Sequence, residues 1–556
     1  MKRGFISLPN GHLHICSAGQ GPWLLCLHES PRSGRQFAEE MQQWRQSFTI
    51  LAPDTPGYGL SDHLQNNDPG IADFADAIAN LLIALQAPPV VVLGRHTGAL
   101  IAAELAARHP KRVHALLLQG YPIPSPDSRA LYLERYFQEP NLDWSGAYAI
   151  WWWYRLREQH IHWPWFAQGQ SRARAMPPSP ADLHLRYIEW LESGPHYISA
   201  YLPAFREDSL QRLAHVHCPM IFCSDASDSL HGTRLRLPEN CRHEELSADP
   251  ALRSGELLAL LRELSIGISG INQPKVNIPQ ATERYYLAQD DARIHVREYN
   301  PAQQASEPAI LLLPPWPGSH RDVAELASLL ARKRRVIVVD LPGQGDGAPL
   351  SAEMQTPDSL LAHMSNALEK AISYLGLERP HVIAHQGSAR ILQYLCTTRR
   401  NQFGRIAMLA PRMSPQDKTS EFRCGDMMME NGAHLMQIWH DLRQAELFFP
   451  ADSSHPDQAL AAGRSLSPQI LWRRFIGAVK HTHIHSMVLQ AGRQFGEQRA
   501  DADMLVLDND DKGLQPFSSH CLTEILRDDS PETAANRLSA FLNLAPSSFG
   551  FEPNIR

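Results

Sequence analysis

The stretch Val91-Val92-Leu93-Gly94-Arg95-His96-Thr97-Gly98-Ala99-Leu100 decides how this chain reads. It opens on β-branched and apolar residues that suit a strand buried on both faces, and it closes on small residues that suit a closely packed helix. Between them two glycines flank a sharp reversal, where the missing side chains let strand and helix backbones approach. The spacing predicts a strand over 90–93, a tight corner at His96 and a helix from Thr97 through Ala107. The corner therefore presents an imidazole at the start of a helix.

Working outward, the landmarks around this corner occur twice in the same order. Leu24-Leu25-Cys26-Leu27-His28-Glu29-Ser30-Pro31-Arg32-Ser33 is answered by Leu311-Leu312-Leu313-Pro314-Pro315-Trp316-Pro317-Gly318-Ser319. Asp54-Thr55-Pro56-Gly57-Tyr58-Gly59 is answered by Asp340-Leu341-Pro342-Gly343-Gln344-Gly345, and the corner itself by Ala384-His385-Gln386-Gly387-Ser388. A repeat this long means tandem whole domains, since solenoid units run to only about 20–50 residues. Each copy alternates short apolar runs (Thr49 to Pro53 and Val90 to Leu93, then Val336 to Val339 and His381 to Ala384) with amphipathic stretches. That is the pattern of an α/β domain, a mostly parallel sheet flanked by helices. Residues 266–282, rich in Gly, Pro and Asn, read as the linker between domains 1–265 and 283–556.

Together the D-x-P-G-x-G turns, the proline-bearing loop after the third strand and the strand-corner-helix resemble the α/β-hydrolase superfamily. The likeness covers most of the chain twice over. It implies two tandem α/β-hydrolase-fold domains, each with a helical cap, at about 121–213 in the first copy and about 413–497 in the second. Within that superfamily the first copy resembles a bacterial group whose corner reads H-T-G-A. The family motif G-x-S-x-G carries a nucleophilic serine at the corner, followed in chain order by an acid and a histidine. His96 stands at the serine position here. The resemblance puts Asp228, after the run Pro219 to Asp225, at the acid position. After the next strand comes Glu245-Leu246-Ser247-Ala248-Asp249, without the family's histidine, and His243 lies upstream inside that strand. The second copy has Gln386 at its corner and the acidic run Asp508-Asn509-Asp510-Asp511. An amide neither attacks nor takes up a proton at neutral pH, so this copy reads as catalytically silent.

Charge and composition narrow the partners. With 43% hydrophobic and 20% charged residues the chain has ample material for buried cores. A net charge of -7 over 556 residues, without a basic run, offers no footprint for a nucleic acid. No uncharged run approaches the roughly 18 residues of a membrane span, and the start is too short in apolar residues for a signal peptide. Eight cysteines show no C-x-x-C pair or zinc spacing, so neither a metal nor another cofactor is expected, and a reducing, cytoplasmic setting is.

The site expectations follow from the corner. The helix behind it places partial positive charge on His96, which disfavours imidazolium and predicts a neutral ring near pH 7. With Asp228 orienting it, His96 is a candidate general base or acid for a small carbonyl-containing substrate, by hydrolysis or by C-C or decarboxylation-type lysis. His28, Glu29, Ser30, Arg32, Arg95, Thr97 and Asp249 are candidate substrate-binding residues: loop N-H groups for an oxyanion, charges for an anionic group. Asp228 and Asp249 equally suit turn or capping roles. The alternative is a non-catalytic pseudo-hydrolase that binds a ligand or acts as a scaffold, and pairing of the two domains within the chain is a further expectation. The insertion after Tyr121 holds seven of the twelve tryptophans (Trp144, Trp151, Trp152, Trp153, Trp163, Trp165 and Trp190), which pack a cap or face an aromatic ligand. His481, His483 and His485 alternate, but helical surroundings and no nearby acid speak against a metal.

Overall fold

A computed structural model describes residues 2–9, 11–167, 176–268, 283–287, 294–300, 308–350, 356–398, 403–409, 428–447, 467–482, 504–508, 521–525 and 530–543. It divides into two compact units, residues 1–141 with 151–281, and residues 142–150 with 282–556. The predicted linker beyond Ile268 and most of the second predicted cap lie outside the described residues.

The first unit is built on strands β1 (Lys2–Leu8), β2 (Gly11–Gly19), β3 (Trp23–Leu27), β4 (Thr49–Pro53), β5 (Val90–Arg95), β6 (Val113–Gln119), β7 (Met220–Asp225) and β8 (His243–Leu246). They form one sheet in the order β1-β2-β4-β3-β5-β6-β7-β8. Only β2 runs antiparallel to its neighbours; the rest pair in parallel. The central strand β5 shows why the sequence does this. Val90 and Val92 pack on one face among Ile78, Leu82 and Ile101, whereas Val91 and Leu93 pack on the other among Trp44, Phe48 and Leu261. A strand that is apolar on both faces is stable only between two layers of helix. Those layers include α1 (Ala38–Trp44), α2 (Ile71–Ala84) and α3 (Thr97–Arg108). The chain passes from β3 to β4 on one side and then crosses over to β5 on the other side of β3, so the loops after β3 and β5 part company and leave a crevice at the strands' carboxyl ends.

Between β6 and β7 the chain inserts α4 (Pro126–Arg135), α5 (Ala147–Ile161), α6 (Pro180–Ser193), α7 (Tyr201–Arg206) and α8 (Ser209–Leu213), and α9 (Pro250–Leu264) follows β8. Most tryptophans of the insertion pack: Trp152, Trp153 and Trp190 are buried, and Trp152 stacks on Trp190 at 3.9 Å. Trp144 is exposed.

The second unit repeats the plan. Strands β9 (Arg284–Leu287), β10 (Ile294–Tyr299), β11 (Ile310–Leu313), β12 (Val336–Asp340), β13 (His381–His385), β14 (Ile406–Leu409), β15 (Met504–Asp508) and β16 (Cys521–Ile525) pair in the same order. Its described helices are α10 (Ala324–Leu330), α11 (Pro357–Tyr374), α12 (Ser388–Thr398), α13 (Ala433–Leu447), α14 (Pro468–Val479) and α15 (Pro531–Leu542).

A buried polar relay, absent from the sequence reading, recurs in both units. Arg3 Nε donates to His14 Nε2 at 3.3 Å, which leaves His14 Nδ1 to donate to Asp54 Oδ2 at 2.9 Å. Asp54 also accepts the backbone N-H groups of Gly34 (2.8 Å) and Leu60 (2.9 Å). This explains the last glycine of D-x-P-G-x-G, because a Cβ on Gly59 would meet Asp54 Oδ2 at 2.3 Å. Arg284, His295 and Asp340 repeat the relay at 3.1 and 3.0 Å. Removing one partner of a buried charge network costs about 3–5 kcal/mol. Asp54→Ala is therefore expected to lower the unfolding free energy of the first unit by that order in denaturant titration; a loss under about 1 kcal/mol would show the relay to be incidental.

Candidate functional site

His96 sits at the corner between β5 and α3 with φ 49° and ψ -113°. Backbone of this kind in a non-glycine residue costs on the order of 1–3 kcal/mol and survives only where its surroundings impose it. Here they do. A Cβ on Gly94 would meet Gly98 O at 2.5 Å, and one on Gly98 would meet Leu27 O at 2.2 Å, so both glycines are needed for helix and strand to cross this closely. His96 is 26% exposed and lines a cleft of about 800 Å³ at the carboxyl ends of the strands.

Asp228, in the loop after β7, reaches the ring. His96 Nε2 lies 3.0 and 3.1 Å from the two carboxylate oxygens of Asp228. On the other side, Nδ1 lies 3.2 Å from Glu29 Oε2. Gly120, at the end of β6 with φ +60°, makes room for the pair: a Cβ there would meet His96 Cδ2 at 2.5 Å and Asp228 Oδ2 at 2.6 Å. The sequence reading missed Gly120 because its partners are far away in the chain.

The protonation state corrects the sequence expectation. Burial opposes charge on His96, but the charge and hydrogen bond of Asp228, with Glu29 beside them, raise its pKa to about 9. The helix terminus contributes only about half an elementary charge, whereas two whole carboxylates stand within 3.2 Å. His96 is thus an imidazolium near pH 7. Burial opposes ionisation of both Asp228 and Glu29, yet both are held below the usual carboxylate range: Glu29 by the summed charges of His96, Arg32 and Arg186, and Asp228 by the charge and hydrogen bond of His96 with the Leu230 N-H.

The other expected residues divide. Glu29, Ser30, Arg32 and Arg95 line the cleft with His96 and Asp228. Arg95 is committed, with Nη2 at 2.5 Å from Glu40 Oε1, Nε at 2.9 Å from Gln119 Oε1 and its guanidinium over the Phe37 ring. Arg32 pairs with Glu189 of α6, which also accepts from Ser33 Oγ at 2.6 Å. His28, Thr97 and Asp249 do not line the cleft. The buried His28 ring donates from Nδ1 to Glu29 O and accepts the Thr55 N-H at Nε2, which pins the loop. The buried Thr97 begins α3, and Asp249 caps α9 through the Ala251 N-H at 2.9 Å. The Glu29 N-H, expected among the oxyanion donors, goes to Gln36 Oε1 at 3.1 Å. His243 is bonded to Ser224 at 3.0 Å, away from His96. Arg186, Glu189 and His160 were missed; Arg186 and Glu189, three residues apart, share one face of α6, and nothing local shows that this face meets the loop after β3.

The second unit keeps the backbone corner, with Gln386 at φ 50°, but fills it differently. The Gln386 amide, oriented by its hydrogen bonds, accepts from Arg474 at 3.0 and 3.2 Å, and Arg474 is paired with Glu446. Ser388 Oγ donates to Pro314 O at 2.6 Å. Among the described residues, His295, His320, Asp340 and Asp346 form a buried group with ligand atoms within 4.8 Å of one another. Arg284 (3.3 Å), Arg321 (3.1 Å) and Lys480 (2.6 Å) already ring Asp346, so a divalent cation would meet three protein cations. The donor set fits an ion-pair network and not a metal. His481 contacts Gly345 O; His483 and His485 lie outside the described residues.

A family model described as the alpha/beta hydrolase fold matches residues 22–151 and again 308–441. The chain belongs to the α/β-hydrolase superfamily. Its sequence is similar to the pimeloyl-[acyl-carrier protein] methyl ester esterase of Chromobacterium violaceum, 38% identical over 107 residues, 19% of this chain and 40% of that one. It is also similar to the bifunctional epoxide hydrolase 2 of Rattus norvegicus, 26% identical over 160 residues, 26% of this chain and 28% of that one. The chain thus spans well under half the length of these curated relatives. Solved structures that resemble it include the enol-lactonase of Burkholderia xenovorans LB400 (TM-score 0.35, 18% identity, 47% of this chain and 98% of that one). An epoxide hydrolase mutant of Vigna radiata is another (TM-score 0.38, 16% identity, 47% and 98%). No helix among the described residues of this hydrolase-fold chain is long and apolar enough to cross a membrane.

Two outcomes are expected for the corner. In NMR titration of the imidazole, Asp228→Asn should move the His96 midpoint down from about 9, because it removes the charge that contributes most to the rise. Gly120→Ala should do the same by forcing His96 and Asp228 apart. An unshifted midpoint in both variants would contradict the assignment of the pair.

Proposed function

We propose that the first unit is an enzyme of the α/β-hydrolase fold that works without a serine nucleophile, with the His96 imidazolium as proton donor to a small carbonyl-containing molecule. The observation that carries this is the His96-Asp228 pair at 3.0 and 3.1 Å on the floor of a cleft of about 800 Å³. A cleft of that size accommodates a small organic molecule. Asp228 holds Nε2-H and leaves Nδ1-H, now facing Glu29, as the proton that a substrate oxygen can take. In hydrolysis, water adds to the carbonyl carbon, Glu29 takes the proton that the water loses, and His96 protonates the carbonyl oxygen as negative charge develops there. When the intermediate collapses, His96 recovers that proton and Glu29 returns the other to the leaving group. In C-C hydrolysis water adds in the same way with Glu29 taking its proton, the C-C bond then breaks to give a carboxylic acid and an enolate whose oxygen is protonated by His96, and Glu29 returns its proton to His96. General acid catalysis of this kind contributes typically about 10² to 10⁴ in rate.

The helices between β6 and β7 act in this reading as the cap over the cleft, and the second unit, with Gln386 tied to Arg474, serves as a silent structural copy. The competing function is ligand binding without chemistry, favoured by the number of ion pairs already closed around the cleft.

Turnover of a panel of activated esters, lactones and 1,3-diketones separates the two. His96→Ala is expected to lower kcat/KM on the accepted member by about 10² to 10⁴, with Gln386→Ala unchanged. Unaltered turnover in His96→Ala removes His96 from the chemistry, and no turnover of any member by the native chain favours the ligand-binding reading. Because the acid must be protonated, activity should be present at neutral pH and fall as pH rises through about 9. Rising activity across that range would point to a base instead.

A further inference from the structure

The cleft holds a cation that no hydrogen bond among the described residues satisfies. Arg186 of α6 lines the cleft, is 30% exposed and makes no hydrogen bond among the described residues. Its nearest carboxylate oxygen is Glu29 Oε1, at 3.8 Å from Nη1. Guanidinium-carboxylate contacts normally close to about 2.7–2.9 Å, and the neighbouring pairs do: Arg95 to Glu40 at 2.5 Å, Arg253 to Asp225 at 2.7 Å. Burial and the charge of Arg32 hold the Arg186 guanidinium below its ordinary value, at about 10, which marks an environment short of negative charge on that side. His160, also on the cleft, is kept neutral by burial and by Arg186, so it brings no counter-charge.

Glu29 is bound as loosely. Its Oε1 stands 3.8 Å from both Arg32 Nη1 and Arg186 Nη1, and its Oε2 stands 3.2 Å from His96 Nδ1. Glu189, by contrast, is gripped by Arg32 and by Ser33 Oγ at 2.6 Å. Three cationic groups therefore surround one carboxylate without closing on it. The arrangement is a carboxylate socket in which the chain's own glutamate is a displaceable occupant.

We propose that the substrate is itself a carboxylate, whose carboxyl group displaces Glu29 from Arg186 and Arg32, leaving Glu29 free to take the proton of the attacking water, while the adjacent carbonyl oxygen of the substrate takes the Nδ1-H of His96. Arg186 then selects anions over neutral carbonyl compounds, because its planar fork of donors matches a carboxylate. Leu156, Trp163 and Tyr201 on the same cleft supply an apolar wall for the rest of the molecule. This rests on the reading of His96 as the reacting group, and it adds the substrate class.

Isothermal titration of the full chain with benzoate and with the neutral isostere benzamide tests it. Benzoate is expected to bind at least tenfold more tightly than benzamide. Arg186→Gln should erase that preference, Arg186→Lys should keep part of it, and Glu29→Gln should strengthen benzoate binding by removing the competing negative charge. Equal binding of the two probes, no binding of benzoate, an unchanged preference in Arg186→Gln, or weaker benzoate binding in Glu29→Gln overturns the proposal. Far-ultraviolet circular dichroism and thermal midpoints check folding of each variant, and the Glu29→Gln arm decides if Arg186→Gln does not fold. If benzoate preference is present while His96→Ala turns over as the native chain does, the catalytic reading fails and the socket stands. If His96→Ala loses turnover and benzoate is not preferred, only the socket fails.

Discussion

The contact between His96 and Asp228 sets the electrostatics of the whole first cleft. An imidazole at the head of a helix meets an unfavourable field, worth about half an elementary charge at short range. One carboxylate at hydrogen-bond distance and a second at 3.2 Å reverse that preference, and the reversal propagates. A charged His96 helps keep Asp228 and Glu29 ionised in a largely enclosed setting, and Glu29 is held so by Arg32 and Arg186 as well, which face it. Take Asp228 away and the remaining charges no longer balance.

Both units share the same scaffold, which sharpens the contrast between their corners. Each has the same strand order, the same Arg-His-Asp relay at the start of the sheet and the same left-handed residue after the fifth strand. What differs is the chemistry mounted there. In the first unit Gly94 and Gly98 let the corner close tightly and Gly120 leaves a void that the His96-Asp228 pair fills. In the second, Ala384 and Ser388 stand where those glycines would be, and the Gln386 amide is tied to Arg474. The strained backbone survives in both because packing of strand against helix imposes it, whatever the side chain at its apex.

Much of this was open to reading in the linear chain. Consecutive apolar residues at Val90 to Leu93, glycines at 94 and 98 and small residues after Thr97 dictate a buried strand, a corner and a helix through local sterics alone. The repeated D-x-P-G-x-G turns and corners reveal the duplication for the same reason. Asp228 could be placed by order along the chain, since its loop follows a recognisable late strand. Residues whose roles depend on partners more than a hundred positions away were invisible. Nothing in the local sequence singles out Arg186, Glu189 or Gly120; His28, by contrast, was expected in the site, but its buried ring holds a loop through near neighbours.

Local sequence, then, determined the architecture, the two copies and the identity of the side chain at the corner, because those follow from chain sterics and hydrophobic periodicity. Tertiary structure alone decided the charge on that side chain. A protonation state depends on every carboxylate and cation within a few ångströms, and here those groups arrive from the loop after β3, the loop after β7 and a helix inserted between them, brought together only when the sheet and its insertion close around one cleft.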